Sequence, residues 1–226
     1  AEDMGSSVSK TKAKMLLKKT PAGEINKIMY ERALHNFLRI ISLKAGYSLK
    51  IQTPVMKTNM YMSVLYHEKY GIKANFPSKL TIPEFSVLFD KKDVVFSPKA
   101  IEEMINPEIM EMFNFINFAM SGNFVRMLSK SAVEEKGNTI IYSKDDIIVR
   151  INKKTGMLKE LEKKDLFVLK ISSYKNFNKI SKIPSELLFQ SKKTNFKCQI
   201  KLKNSALPNI KDFENRGQND TESAGQ

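Results

Sequence analysis

The chain is poor in the residues from which most enzyme sites are built. One cysteine and two histidines occur in 226 residues, so no intrachain disulfide can form, and neither HExxH nor paired-cysteine zinc spacing is present. Nine glycines include no GxxxxGK[ST] and no GxGxxG phosphate cradle, which argues against the familiar nucleotide-hydrolysing classes. No apolar run reaches the roughly 18–20 residues that cross a bilayer. Met15 to Leu17, with lysines on both sides, is too short for the apolar core of a secretory leader. These absences set an expectation of a protein that is not an enzyme, holds no cofactor or metal, and works inside the cell, in the cytoplasm or peripherally at a membrane.

The few catalytic residue types that do occur are scattered. His35 sits within a stretch of helical spacing, His67 ends a strand-like run, and Cys198 lies in an alternating strand pattern where a small core residue is expected; nothing in the spacing joins them as a nucleophile and base. The pairs Glu102-Glu103, Glu134-Glu135 and Asp145-Asp146 supply adjacent carboxylates, but neighbouring side chains point apart on a helix or strand, so these read as solvated surface rather than as a metal site.

What the chain has in excess is positive charge of one kind. The net charge is +14, and lysines outnumber arginines 33 to 5. The charge is uneven: residues 1–50 carry +6, 51–135 carry −1, 136–211 carry +12 and 212–226 carry −3. Lysine is a hydrated point charge without the planar fork that reads base edges, so the composition favours non-specific attraction to phosphates over sequence readout. In the basic second half, Lys175, Lys179, Lys182, Lys192, Lys193, Lys197, Lys201 and Lys203 interleave with Tyr174, Phe177, Phe189 and Phe196, a pattern that suits phosphate or headgroup contact, with the aromatics either in the core or exposed for stacking.

The second concentration is at the start of the chain. Met4-Gly5-Ser6-Ser7-Val8-Ser9 fits the M-G-x-x-x-[ST] pattern for N-myristoylation, with Gly5 as the lipid attachment point where translation begins at Met4. Lys10, Lys12, Lys14, Lys18 and Lys19 follow, and a polybasic patch is the second signal that a single acyl chain needs for stable anchoring. Over about fifteen residues the segment resembles the acylated, lysine-rich start of viral matrix proteins and Src-type kinases; no kinase signature follows it. The resemblance implies a role close to a membrane.

Period and punctuation organise the rest. Residues 1–22 read as a flexible basic arm. Ile25, Ile28, Met29, Leu34, Phe37, Leu38 and Ile41 recur at helical spacing, predicting a helix over about 24–45 closed by Gly46. Short β-type runs follow at Tyr47 to Gln52, Asn59 to His67, Ile72 to Phe76 and Phe85 to Phe89. Ser97-Pro98 starts a second helix, restarted at Asn106-Pro107, over about 98–133; its Met- and Phe-rich sequence is apolar around much of its circumference, as expected of a core helix buried on two sides. After Gly137 the period returns to two, with a turn at Asn152 to Gly156. The clearest alternation sets Phe196, Cys198, Ile200 and Leu202 against Lys197, Gln199, Lys201 and Lys203. The tail 212–226 is acidic, lacks apolar periodicity and is expected to be disordered.

The expected fold is therefore α+β: two main helices on antiparallel strands in a single domain over 23–211, with a possible subdivision near 136. The expected function is a structural assembly protein of the viral-matrix type, found in the virion if viral, that binds an anionic membrane surface and forms homo-oligomers, with no small-molecule substrate. The alternative is a nucleocapsid-like or single-stranded nucleic-acid-binding protein that contacts phosphates without reading sequence.

Overall fold

The computed structural model describes residues 42–67, 71–79, 83–89, 94–120, 128, 131–178, 181–209 and 212. Among these residues, twelve strands form one antiparallel sheet. The first five are β1 (Ser42–Gln52), β2 (Lys57–His67), β3 (Gly71–Phe76), β4 (Phe85–Phe89) and β5 (Val94–Ser97), a meander in which each strand pairs with the next. Two short helices follow, α1 (Ala100–Met104) and α2 (Pro107–Met120). A second meander then runs through β6 (Ala132–Lys136), β7 (Thr139–Lys144), β8 (Ile147–Asn152), β9 (Leu158–Lys163), β10 (Phe167–Asn176), β11 (Lys182–Ser191) and β12 (Lys197–Ala206). The last strand returns to pair with the first, giving the order β5-β4-β3-β2-β1-β12-β11-β10-β9-β8-β7-β6. The helices thus lie in the one connection that passes from one edge of the open sheet to the other.

The α+β expectation is corrected by this architecture, in which the sheet dominates and the helices are minor. Of the helix expected over 24–45, residues 24–41 lie outside the described residues, and 42–45 are strand. Leu43, Ala45, Tyr47, Leu49 and Ile51 are all buried, while Lys44 and Lys50 between them are exposed. That period of two is the signature of a strand with one covered face. Of the helix expected over 98–133, the described part is broken at Ile105-Asn106, and Ala132 to Lys136 is an edge strand. Asn106 restarts the helix as a cap, its Oδ1 accepting from the Glu108 amide at 2.8 Å.

Gly46 is not a helix cap but the point where the β1–β12 register shifts. A Cβ there would stand 1.9 Å from the Tyr61 hydroxyl and 2.7 Å from Asn204 Oδ1, so the missing side chain lets the Tyr61 ring lie across the strand. The turns follow their residues. Asn152 Oδ1 accepts from the amides of Lys154 (2.9 Å) and Thr155 (3.1 Å), and Gly156 takes φ +69°. Asp145, with φ +54°, opens the two-residue turn between β7 and β8; Asp and Asn tolerate that conformation better than most residues.

The register gives the sheet an apolar inner face and a charged outer one. The outer face of the second half carries a chain of ion pairs: Arg150 Nη1 donates to Glu160 at 2.5 Å and to Glu162 at 2.6 Å, Lys192 donates to Glu162, and Lys170 lies 3.9 Å from Glu160. Burial alone would raise the Glu162 carboxyl, but the hydrogen bonds from Lys192 and Arg150 outweigh it and hold the group below its ordinary value of 4.5. A carboxylate stabilised in this way contributes above its unfolded pKa, and the contribution is lost as pH falls through the lower folded value. Glu162→Gln should therefore cost about 1–3 kcal/mol at pH 7 in urea unfolding, and the gap from the parent should narrow as pH drops below 4.5. An equal gap at pH 7 and at acid pH would assign the loss to packing instead.

Candidate functional site

The feature that the fold builds most consistently is the inner face. Antiparallel pairing aligns one residue from each strand into rows, and one row reads Val133, Tyr142, Val149, Leu161, Leu169, Phe189, Cys198, Ile51 and Thr58 from β6 to β2. Its members from Tyr142 to Cys198 are at most 1% exposed. The β3–β5 end of the same face carries Ile72, Ala74, Phe76, Phe85, Val87, Phe89 and Phe96, also buried.

Helix α2 is seated on this face by its rings. Phe113 meets Phe76, Phe89 and Phe96 with centroids 5.7, 5.9 and 5.7 Å away. Phe115, two residues on and so turned about 200° around the helix, meets Phe189 at 6.3 Å, and Phe189 packs on Phe167 and Phe196 at 5.3 and 5.9 Å. One helix therefore touches both halves of the sheet, the first through Phe113 and the second through Phe115. This is why its sequence is apolar over more than half its circumference, with Asn114 exposed. A polar tie joins its first turn to the β11–β12 loop, where the Thr194 hydroxyl donates to Glu108.

Polar atoms on the inner side are few, and most are satisfied locally. The Ser173 and Ser185 hydroxyls share a hydrogen bond at 2.7 Å, Tyr47 donates to the Pro184 carbonyl at 3.3 Å and Tyr174 to the Leu158 carbonyl at 2.5 Å. Burial raises both phenols above their ordinary range. The Tyr142 hydroxyl differs: it is a fully buried oxygen with no hydrogen-bond partner, which the alternation of the sequence gave no means of singling out.

The residues singled out from the sequence do not converge on this face. Gly5, Lys10, Lys12, Lys14, Lys18, Lys19, Lys179 and His35 lie outside the described residues. Lys182 and Lys203 sit toward one end of the β11–β12 pair, and Lys192, Lys193 and Lys197 at the other. Lys175 is exposed on β10, opposite Ile183. Lys201, between the two ends, pairs with Glu186 at 3.3 Å, and Lys192 is held by Glu162. The interleaved aromatics go inward, with Phe189 and Phe196 fully buried. Glu134 and Glu135 occupy edge strand β6, where Glu135 pairs with Lys153; charge on an edge discourages further strand addition. Among the described residues, no group of three or more His, Cys, Asp or Glu side chains is placed to hold a metal ion, and no helix is long and apolar enough to cross a membrane.

Two outcomes follow from this packing. Phe113→Ala should cost about 3–5 kcal/mol in denaturant unfolding, whereas Asn114→Ala beside it should stay within about 0.5 kcal/mol; equal effects would mean that α2 is not held by its rings. Cys198 is fully buried, and burial pushes its thiol up to about 12, so it is neither a thiolate nor accessible. It should react with a thiol reagent at pH 8 roughly 100-fold or more slowly in the native protein than in guanidinium, because central strands open only at a cost of several kcal/mol. Rapid native labelling would contradict its place in the core.

No protein-family model matches the sequence, and no curated protein matches it. Solved structures do match the fold. A LolA superfamily protein from Nitrosomonas europaea superposes with a TM-score of 0.54 at 9% identity, covering 83% of this chain and 95% of its own. A domain from Vibrio parahaemolyticus assigned to outer-membrane lipoprotein sorting gives 0.52 at 12% identity, covering 82% of this chain and 96% of its own. These likenesses overturn the expected viral-matrix-type assembly role, its nucleocapsid-like and RNA-binding alternative, and the expected partners, an anionic membrane or nucleic acid with no small ligand. The described lysines lie on strand faces and at both ends of the β11–β12 pair, and the extended surface that the architecture creates is the apolar inner face. By fold, the chain is similar to LolA-type proteins.

Proposed function

We propose that this protein is a non-enzymatic carrier of an apolar, lipid-type ligand, held between the inner face of the sheet and α2. The observation that carries the reading is the continuous apolar inner face, which crosses both meanders and is met by α2 through ring contacts. Ring and methionine contacts are non-directional and adaptable, so a hydrocarbon chain can replace them at small cost in directional bonds. The fold likeness to a lipoprotein-sorting domain supports the same reading by analogy of architecture alone. The carrier reading, rather than an enzymatic one, draws on the buried, protonated Cys198 and on Glu162, whose carboxylate is committed to Arg150 and Lys192.

The test is direct binding. The full chain should take up the hydrocarbon probe 1,6-diphenylhexatriene saturably, near one per chain, with phospholipid competing. Organic extraction of the natively purified protein should release acyl lipid detectable by mass spectrometry. Non-saturable probe uptake together with a lipid-free extract would remove the proposal.

A further inference from the structure

The most exposed large apolar side chain among the described residues is at the turn between β1 and β2. Val55 there is 95% exposed and its neighbour Met56 52%. One exposed apolar residue is ordinary; this pair is set apart by how it is held and by what surrounds it. The turn is internally bonded: the Thr53 amide donates to the Met56 carbonyl at 2.8 Å, and the Thr53 hydroxyl oxygen accepts from the Val55 and Met56 amides at 3.3 and 3.0 Å. Pro54 between them has its φ fixed by its ring. The two side chains are thus presented by an ordered tip, and a partner that buries them pays little ordering entropy.

The rows beneath the tip are basic. Gln52 pairs with Lys57 on one side and with Lys197 on the other, and Lys50, two residues back, pairs with Asn59 and Gln199. Lys57 and Lys197 therefore stand two inter-strand steps apart, roughly 10 Å at about 4.8 Å each. Lys50 lies between them one row further from the tip, and all three are exposed on the outer face. Lys193, in the adjacent β11–β12 loop, is exposed as well. Of the carboxylates on neighbouring elements, Glu108 accepts from Thr194, and Glu162 from Lys192 and Arg150. Glu84 lies two strands away, ahead of β4.

We propose that the β1–β2 tip is a docking element for a protein partner, one whose surface offers an apolar pocket to Val55 and Met56 and rims that pocket with carboxylates facing Lys57, Lys197 and Lys50. Methionine adapts its shape to an irregular pocket and is enriched at interfaces. Lysines at the rim set the rate and orientation of encounter through charge complementarity. A bilayer is the poorer match. The tip Thr53-Pro54-Val55-Met56 holds no Trp or Tyr, the residues that seat at lipid headgroups. A whole myristoyl chain anchors only marginally, and Val55 and Met56 together bury less hydrocarbon than that. The tip lies at one end of the sheet, apart from the inner face, so the proposal stands independently of the carrier reading.

The test places the photo-crosslinker p-benzoylphenylalanine at Val55 in the full chain, produced in its own cells, with the same residue at Val95, exposed on edge strand β5, as the control. The expected result is an adduct with one protein from position 55 and none from position 95, with the contact mapped by mass spectrometry to a segment that carries Asp or Glu. Its yield should fall about fivefold or more when Lys57→Glu and Lys197→Glu are added, because like charges then face each other across the rim. Those two substitutions are at exposed positions and should leave urea unfolding of the chain unchanged. The proposal is overturned by an adduct at 55 no stronger than at 95, by a contact segment without carboxylates, or by a yield that charge reversal does not alter. It is overturned equally if the parent cosediments with phosphatidylglycerol vesicles and Val55→Asp abolishes this, which would assign the tip to a lipid surface.

Discussion

The pairing of β1 with β12 is the constraint on which the rest of the structure depends. It joins residues 44–52 to 197–206 across most of the chain, turning two separate meanders into one sheet. A strand pair has a side-chain period of two, so a slip of β12 by one residue against β1 would turn Cys198 and Ile200 to the outer face while Leu49 and Ile51 stayed on the inner one. The register is held by their burial on one side. Once it is set, the inner rows of the two meanders line up, and the row from Tyr142 to Cys198 is continued to Ile51 and Thr58 by this junction. Such long-range pairing is slow to find, since loop closure must precede the contacts that reward it.

The second constraint follows from the topology. Because β5 and β6 lie at opposite edges, the chain between them must pass from one side of the sheet to the other, and the inner face is where its apolar residues are buried. Phe113 and Phe115 diverge around α2 for that reason, one meeting the first meander and the other the second. A helix in this position caps an apolar surface without strand hydrogen bonds to it, a relation that non-directional forces dominate.

Charge takes a subordinate role. Outer-face lysines alternate with core residues because the pleat puts them there, and several are matched by carboxylates on neighbouring strands, as in the chain from Lys192 through Glu162, Arg150 and Glu160 to Lys170. Partly exposed pairs of this kind contribute modestly, the more enclosed Glu162 being the exception. A high positive charge read along the chain suggested an anionic partner; among the described residues it is distributed over strand faces and both ends of the β11–β12 pair.

The sequence by itself determined the local elements with a strong period and clear punctuation. The alternation at Phe196 to Lys203, the Asn152–Gly156 turn, the Asn106-Pro107 restart and the two-sided apolar character of the Met- and Phe-rich helix are all legible, because each is settled by residues within a few positions of one another. It did not determine that Leu43 and Ala45 belong to a strand, since their spacing continues the helical pattern before them, and only pairing with β2 and β12, the latter about 160 positions away at Ala45, decides in favour of a pleat. Nor did it single out Tyr142, one aromatic in an apolar alternation like several others. A hydroxyl lacks a partner only by virtue of everything packed around it, and that is a property of the tertiary structure alone.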